Sequence, residues 1–204
     1  MTLAFLVETV VQKGRVMTVS TLKHLNSLFI VLLVVFSLTP EVAEAKKPMP
    51  PFFKKMSKQH GVPVDVLYAL AMTESNTRMR DGSYSPWPYT INIDFKGYRY
   101  QSYADLVRQS RSLLKQGRKS FDVGFFQVNW KWNGHRTKSI ELLANPYENA
   151  RVASEIMKEH YATYGNWVVA AGRYHNPANN RGLANVYSKN FARNLKKVRS
   201  EMIY

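Results

Sequence analysis

One stretch limits the fold of this chain more than any other. Residues 64–72 read VDVLYALAM, and Val64, Leu67, Tyr68, Leu70, Ala71 and Met72 make a helix there apolar on nearly all sides. Such a helix has no face to give to water, so other elements must surround it. Val62-Pro63-Val64-Asp65 opens it, and Thr73-Glu74-Ser75-Asn76 ends it. Glu74 therefore stands out. Carboxylates rarely sit on an all-apolar helix, because burying the charge is expensive. A buried carboxyl answers by raising its pKa and keeping its proton, which is what a general acid needs near neutral pH. The alternative is a solvated glutamate at a frayed helix end.

Other elements can be placed around that helix. Pro86-Trp87-Pro88 ends any helix, and residues 89–93 and 98–101 are β-prone on either side of Asp94-Phe95-Lys96-Gly97. This predicts a small β-hairpin with a glycine turn. Ser102 caps a helix from about Tyr103 to Gln116, which Gly117 stops. Phe121 to Asn129 reads as an aromatic-rich loop or short turn. Asn145, with Pro146 at the first position and Glu148 as capping-box acid, opens a helix that runs to Tyr164 and Gly165. A short apolar segment (167–173), a loop (176–182) and a basic amphipathic helix (183–201) complete the chain. The expected class is mainly α (α+β), with one hairpin inserted.

The N-terminus is of another kind. Residues 28–38 (LFIVLLVVFSL) form an apolar run, preceded by Lys23 and His24, broken by Pro40 and followed by Ala43-Glu44-Ala45. That order predicts a secretory signal peptide over 1–45, with Met17 as a candidate start, cleavage near Ala45, and a periplasmic or exported product. An uncleaved anchor is the alternative. Residues 46–58 (KKPMPPFFKKMSK) read as a loose basic arm ahead of a domain over 59–204. Acidic and basic residues cancel within 1–45, so the remainder carries the whole net charge of +15. A strongly basic exported protein implies an anionic partner, a cell-wall polymer or a lipid surface. Nucleic acid fits the charge but not the export signal, and no nucleic-acid partner is expected. The chain has no cysteine, hence no disulfide, thiol nucleophile or thiolate metal site. His60, His135, His160 and His175 lack metal-ligand spacing, so neither metal nor cofactor is expected.

Four further segments follow in order: Gly124-Phe125-Phe126-Gln127-Val128-Asn129, Leu143-Ala144-Asn145-Pro146, Ala170 to Asn176, and Tyr187 at the start of the last helix. With Glu74-Ser75 they resemble the soluble lytic transglycosylases, which have a lysozyme-like fold. GFFQVN is similar to that family's G-x-M-Q-[IV] motif, with Phe126 in place of methionine. The resemblance spans about residues 60–200 and implies peptidoglycan as substrate. It implies that Glu74 protonates the glycosidic oxygen and then acts as base. Ser75 and Gln127 would hold substrate and Glu74, Tyr174 and Tyr187 would line the cleft, and Asn129 and Asn176 would join them in binding substrate. The chain departs from the family at Arg173-Tyr174-His175-Asn176-Pro177, where alanine-tyrosine-asparagine is usual. His175 then takes the asparagine place, and Asn176 can serve only after a shift.

A second carboxylate would decide the reaction, because most glycosidases use two. Asp81, Asp94 and Asp122 lie nearest the motifs, and Asp122 reads more readily as a turn residue held by local hydrogen bonds. With one convincing acid, an intramolecular route fits: the sugar's own 6-hydroxyl attacks and leaves the family's 1,6-anhydro-muramic end. Trp87, Trp130 and Trp132 lie beside motifs and offer stacking faces for sugar rings, whereas Trp167 reads as core. A lysozyme-type muramidase, a non-catalytic wall-binding protein and a DNA-binding domain are the competing readings. The resemblance also raises an envelope-spanning secretion or conjugation apparatus as partner. A monomer is expected.

Overall fold

The all-apolar helix is the axis of the domain. The computed structural model describes residues 46–204, so the apolar run at 28–38 and the Ala43–Ala45 signal lie outside the described residues. Helix α1 (Pro51–His60) and helix α2 (Val64–Ser75) pack together. In α2, Val66 to Ala71 are all buried, and the helix over 183–201 packs on it as well. Asp65 sits in the first turn of α2, where a helix favours negative charge, and accepts from Arg199 at 2.7 Å.

The segment 46–58 is not a loose arm. Lys47–Pro48 forms β1, which pairs in parallel with β8 (Met202–Ile203) and ties the two ends of the domain together. Pro51 then starts α1 at the position where a missing N–H does least harm. Phe53 and Met56 recur at helical spacing and are buried, as is Met49. The lysines of this segment hid an amphipathic helix whose apolar residues belong to the core. Among the described residues the core runs from Met49 to Met202.

Beyond α2, β2 (Asn76–Arg78) pairs antiparallel with β3 (Tyr84–Pro86). The expected hairpin follows as β4 (Thr90–Ile93) and β5 (Lys96–Arg99). Its turn is not on the glycine. Ile93 pairs with Lys96, so Asp94 and Phe95 are the two turn residues, at φ 50° and 64°, while Gly97 pairs with Asn92 inside β5. Helix α3 (Tyr103–Lys115) begins as expected, with the Ser102 hydroxyl accepting from the Asp105 amide.

Residues 121–129 are more ordered than a loop. β6 (Asp122–Val123) pairs with β4, and β7 (Val128–Asn129) pairs with β6, giving a sheet ordered β5-β4-β6-β7. Two short helices, α4 (Trp130–Asn133) and α5 (Ile140–Ala144), lead to α6 (Pro146–Tyr164). The Asn145 side chain caps α6, and Gly165 stops it in the left-handed conformation. Glu148 does not complete a capping box: Arg151 binds both its oxygens. Helix α7 (Trp167–His175) and helix α8 (Leu183–Glu201) close the domain around α2. A Cβ at Gly172 would lie 2.5 Å from the Ala184 carbonyl, so the α7–α8 crossing depends on that glycine. The mainly helical class with a small inserted sheet is as expected. No helix among the described residues is long and apolar enough to cross a membrane.

Candidate active site

Glu74 occupies the last turn of α2, where the helix dipole disfavours an anion. The residue keeps some exposed surface, but burial dominates at the carboxyl and pushes its pKa from 4.5 to about 8. A hydrogen bond from Tyr187 opposes the rise, and the charge of Asp122 adds to it. The Tyr187 hydroxyl donates to Glu74 Oε1 at 2.5 Å. Because Tyr187 donates there, the acid proton belongs on Oε2. About two turns further along α8, Asn194 donates to the Thr73 hydroxyl at 2.9 Å, a second tie between the two helices beside Glu74.

Tyr174, on α7, donates to the Phe126 carbonyl at 2.7 Å. Burial first, then the charge of Glu74, raises the phenols of Tyr174 and Tyr187 well above their ordinary range. Both therefore act as hydrogen donors and never as bases at working pH. His175, in the position where the family has asparagine, lies flat against the Tyr187 ring, with centroids 4.5 Å apart at 12°. It backs the tyrosine rather than Glu74 itself.

The Gly124–Asn129 segment is a fixed bend. Gly124 has φ 83°, and a Cβ there would lie 2.6 Å from the Asn149 side chain. Asn149, fully buried in α6, accepts from the Phe126 amide at 3.0 Å and donates to the carbonyls of Val123 and Leu143. Gln127 takes the left-handed region at φ 45°. Its amide nitrogen donates to the Thr90 hydroxyl and the Gly124 carbonyl, both at 2.8 Å. Phe126, which replaces the family's methionine, is fully buried and meets Phe53 edge-on at 6.4 Å. Phe125 lies 5.2 Å from Phe52. Helix α1 thus braces the bend from behind.

Several expected roles move. Ser75 is buried and its hydroxyl donates to the Ala71 carbonyl of its own helix, which secures the helix end. Asn129 donates to Asp122 at 2.7 Å and caps α4 through its oxygen, so it acts on the second carboxylate instead of a ligand. Asn176 accepts from the Asn180 amide at 3.1 Å and shapes the loop after α7. Asp122 is not a turn residue: it lies in β6, and burial raises its pKa while Asn129 opposes the rise. Asp81 is bound to Ser83 and Asp94 to Arg118. Trp87 donates its indole N–H to the Tyr100 carbonyl, Trp130 packs over Gly134, and Trp132 is exposed. Trp167, read as core, is partly buried and stacks on Tyr161 at 4.0 Å.

The sequence reading missed Asn149, Thr90 and Asn194. Asn149 had a signal: it shares a helical stripe with Val152, Ala153, Ile156 and Met157, all buried. A polar residue on such a stripe has a bonding task. Two surface grooves, of about 480 and 690 Å3, lie beside the hairpin and along α3, away from Glu74. The site belongs with Glu74, where, among the described residues, a raised acid meets a hydroxyl donor and feels a second carboxylate. Among the described residues no cluster of histidine and acidic side chains could hold a metal ion.

A partly buried acid on a central helix, a hydroxyl on its oxygen and a glycine-glutamine bend beside it define a lysozyme-like glycan-cleaving site. The chain belongs to the transglycosylase SLT domain family, whose model matches residues 51–197. No curated protein and no solved structure matches it.

Proposed function

We propose that the chain is a lytic transglycosylase that cleaves the β-1,4 bond between N-acetylmuramic acid and N-acetylglucosamine. The observation that carries this reading is the Glu74 carboxyl, held protonated to about pH 8 with Tyr187 on one oxygen. Glu74 Oε2 gives its proton to the glycosidic oxygen as the C1–O bond breaks. The muramic 6-hydroxyl then attacks C1 and returns its proton to Glu74, so the 1,6-anhydro ring closes without water. The Tyr187 hydrogen bond stabilises the carboxylate that exists between the two steps. The Gln127 carbonyl oxygen faces the task of binding a sugar N–H or O–H.

A hydrolase on the same frame is the second reading, and Asp122 is what favours it. Its charge reaches Glu74, and a carboxylate there has the role of activating a water. Against this stands its side-chain bond to Asn129 and its own raised pKa. Muropeptides released from purified sacculi distinguish the two by mass spectrometry. Anhydro ends support the transglycosylase, and reducing ends overturn it in favour of the muramidase.

Export belongs to the same proposal. The apolar run and Ala43-Glu44-Ala45 motivate cleavage near Ala45, release into the periplasm, and local opening of the wall as a monomer, with an envelope-spanning secretion or conjugation apparatus as candidate partner. N-terminal sequencing of the exported protein should begin at or near Lys46. An intact N-terminus ahead of Leu28 would refute it.

A further inference from the structure

The tip of the β4–β5 hairpin carries a side chain that the fold itself does not use. Asp94 and Phe95 form a two-residue turn with both φ values positive, a backbone that favours asparagine and glycine. A phenylalanine there is strained, and Phe95 is also fully exposed. The register that buries Ile91 and Ile93 accounts for the turn, but not for a fully exposed phenylalanine at its apex. The exposed ring is explained if it is buried against something else.

The surroundings state the chemistry of that partner. Asp94, the acid at the tip, is bound by Arg118 at 2.5 Å, which places the end of α3 and the loop after it beside the hairpin. Lys96 lies over the Tyr98 ring at 5.7 Å, and Lys115 and Lys119 are exposed on the adjoining segment. One groove, lined by Asp94, Lys96, Tyr98 and Arg118, joins the two. The result is a single projecting aromatic ring within a cationic rim. Flat aromatic faces and amides that suit a sugar, from Tyr98, Tyr100, Gln109 and Gln116, lie inside the groove, and Phe95 is not part of its lining. A ring at the apex of a turn instead suits a soft surface it can enter, and the cationic rim requires that surface to be negative.

We propose that the hairpin tip is a membrane anchor, with Phe95 entering the interface of an anionic phospholipid bilayer and Lys96, Lys115 and Lys119 meeting its headgroups. One ring and a few lysines give a reversible contact. The inference is independent of the reaction at Glu74.

The test uses the chain from Lys46 onward, so that the apolar run at 28–38 is absent. Sedimentation with phosphatidylglycerol-containing vesicles is compared with pure phosphatidylcholine vesicles, for the parent protein, Phe95→Gly and Lys96→Glu. The parent should bind the anionic vesicles and not the neutral ones. Phe95→Gly should bind about tenfold more weakly, yet unfold at the same or a higher temperature because the turn strain is relieved. Lys96→Glu should also weaken binding, and sacculus cleavage should be unchanged in both variants. Parent protein that binds neither vesicle, or binds both equally, overturns the proposal. So does Phe95→Gly with unaltered vesicle binding. Loss of sacculus binding in place of vesicle binding would make the tip a glycan contact and would equally overturn it.

Discussion

Glu74→Gln separates catalysis from stability in one variant. Glutamine keeps the shape of the side chain and still offers an oxygen to Tyr187, but it has no proton to give. Activity should fall by at least about 100-fold, the usual worth of a general acid. The stability effect runs the other way and depends on pH. Glu74 has its pKa raised in the folded state, to about 8 from 4.5. Its folded-state proton is matched by the unfolded chain below about pH 4.5, so there the two proteins should be equally stable. As pH rises toward 8, the unfolded glutamate ionises while the folded one does not, and the parent loses stability relative to the variant. At pH 7 the difference is at most about 3 kcal/mol, and solvent at the partly exposed residue lowers it. For a domain of this length that corresponds to roughly 5–10 °C in Tm. Thermal unfolding of both proteins from pH 4 to pH 8, with muropeptide release measured in parallel, is the assay. A Tm difference that does not change with pH would refute the raised pKa. Anhydro-muropeptides released at the parent rate would refute the role of Glu74.

Other perturbations probe the frame. Tyr187→Phe removes a bond that favours the carboxylate, so the alkaline limb of the pH–rate profile should move upward and the rate should fall about tenfold; an unmoved limb would detach Tyr187 from Glu74. Gly124→Ala combines a positive φ with a Cβ 2.6 Å from Asn149, and should lose several °C in Tm together with most activity; a stable, active variant would mean that the bend is not rigid. Phe53→Ala should cost about 3–5 kcal/mol in denaturant unfolding, whereas a loose arm would tolerate it. Asp122→Asn removes a like charge from Glu74, so the alkaline limb should move downward while anhydro products persist. Loss of all turnover with retained folding would point to the hydrolase instead.

The elements legible in the sequence are those whose signals are local. The α2 core helix needed only its apolar run, α3 its Ser102 and Gly117, and α6 its Asn145, Pro146 and Gly165. What escaped depended on distant partners. Residues 51–60 carry more lysines than phenylalanines, and nothing local says that Phe52 and Phe53 will meet Phe125 and Phe126, more than seventy positions away. The strands β6 and β7 are two residues each, too short for any periodicity to show. In the hairpin, Gly97 drew the turn toward itself because glycine suits positive φ. The register instead puts Asp94 and Phe95 there, since moving the turn would carry Ile91 and Ile93 off the buried face.

The candidate site divides along the same line. Tyr187 and Tyr174 come to Glu74 at the end of α2, and Gln127 lies in the bend whose Phe126 carbonyl accepts from Tyr174. Ser75, Asn129 and Asn176 were credited with binding because their side chains are polar and their neighbours matter. A polar side chain near a site has its own bonds to make, and each of the three makes at least one within the protein. Asp122 shows the converse. Two residues from a glycine it has the look of a turn acid, yet in β6 it becomes the carboxylate felt at Glu74. Its bond to Asn129 holds that charge in place without offering it freely to a water. A site with one proton donor and one restrained carboxylate favours the route that needs no external nucleophile, because the attacking hydroxyl arrives already attached to the sugar.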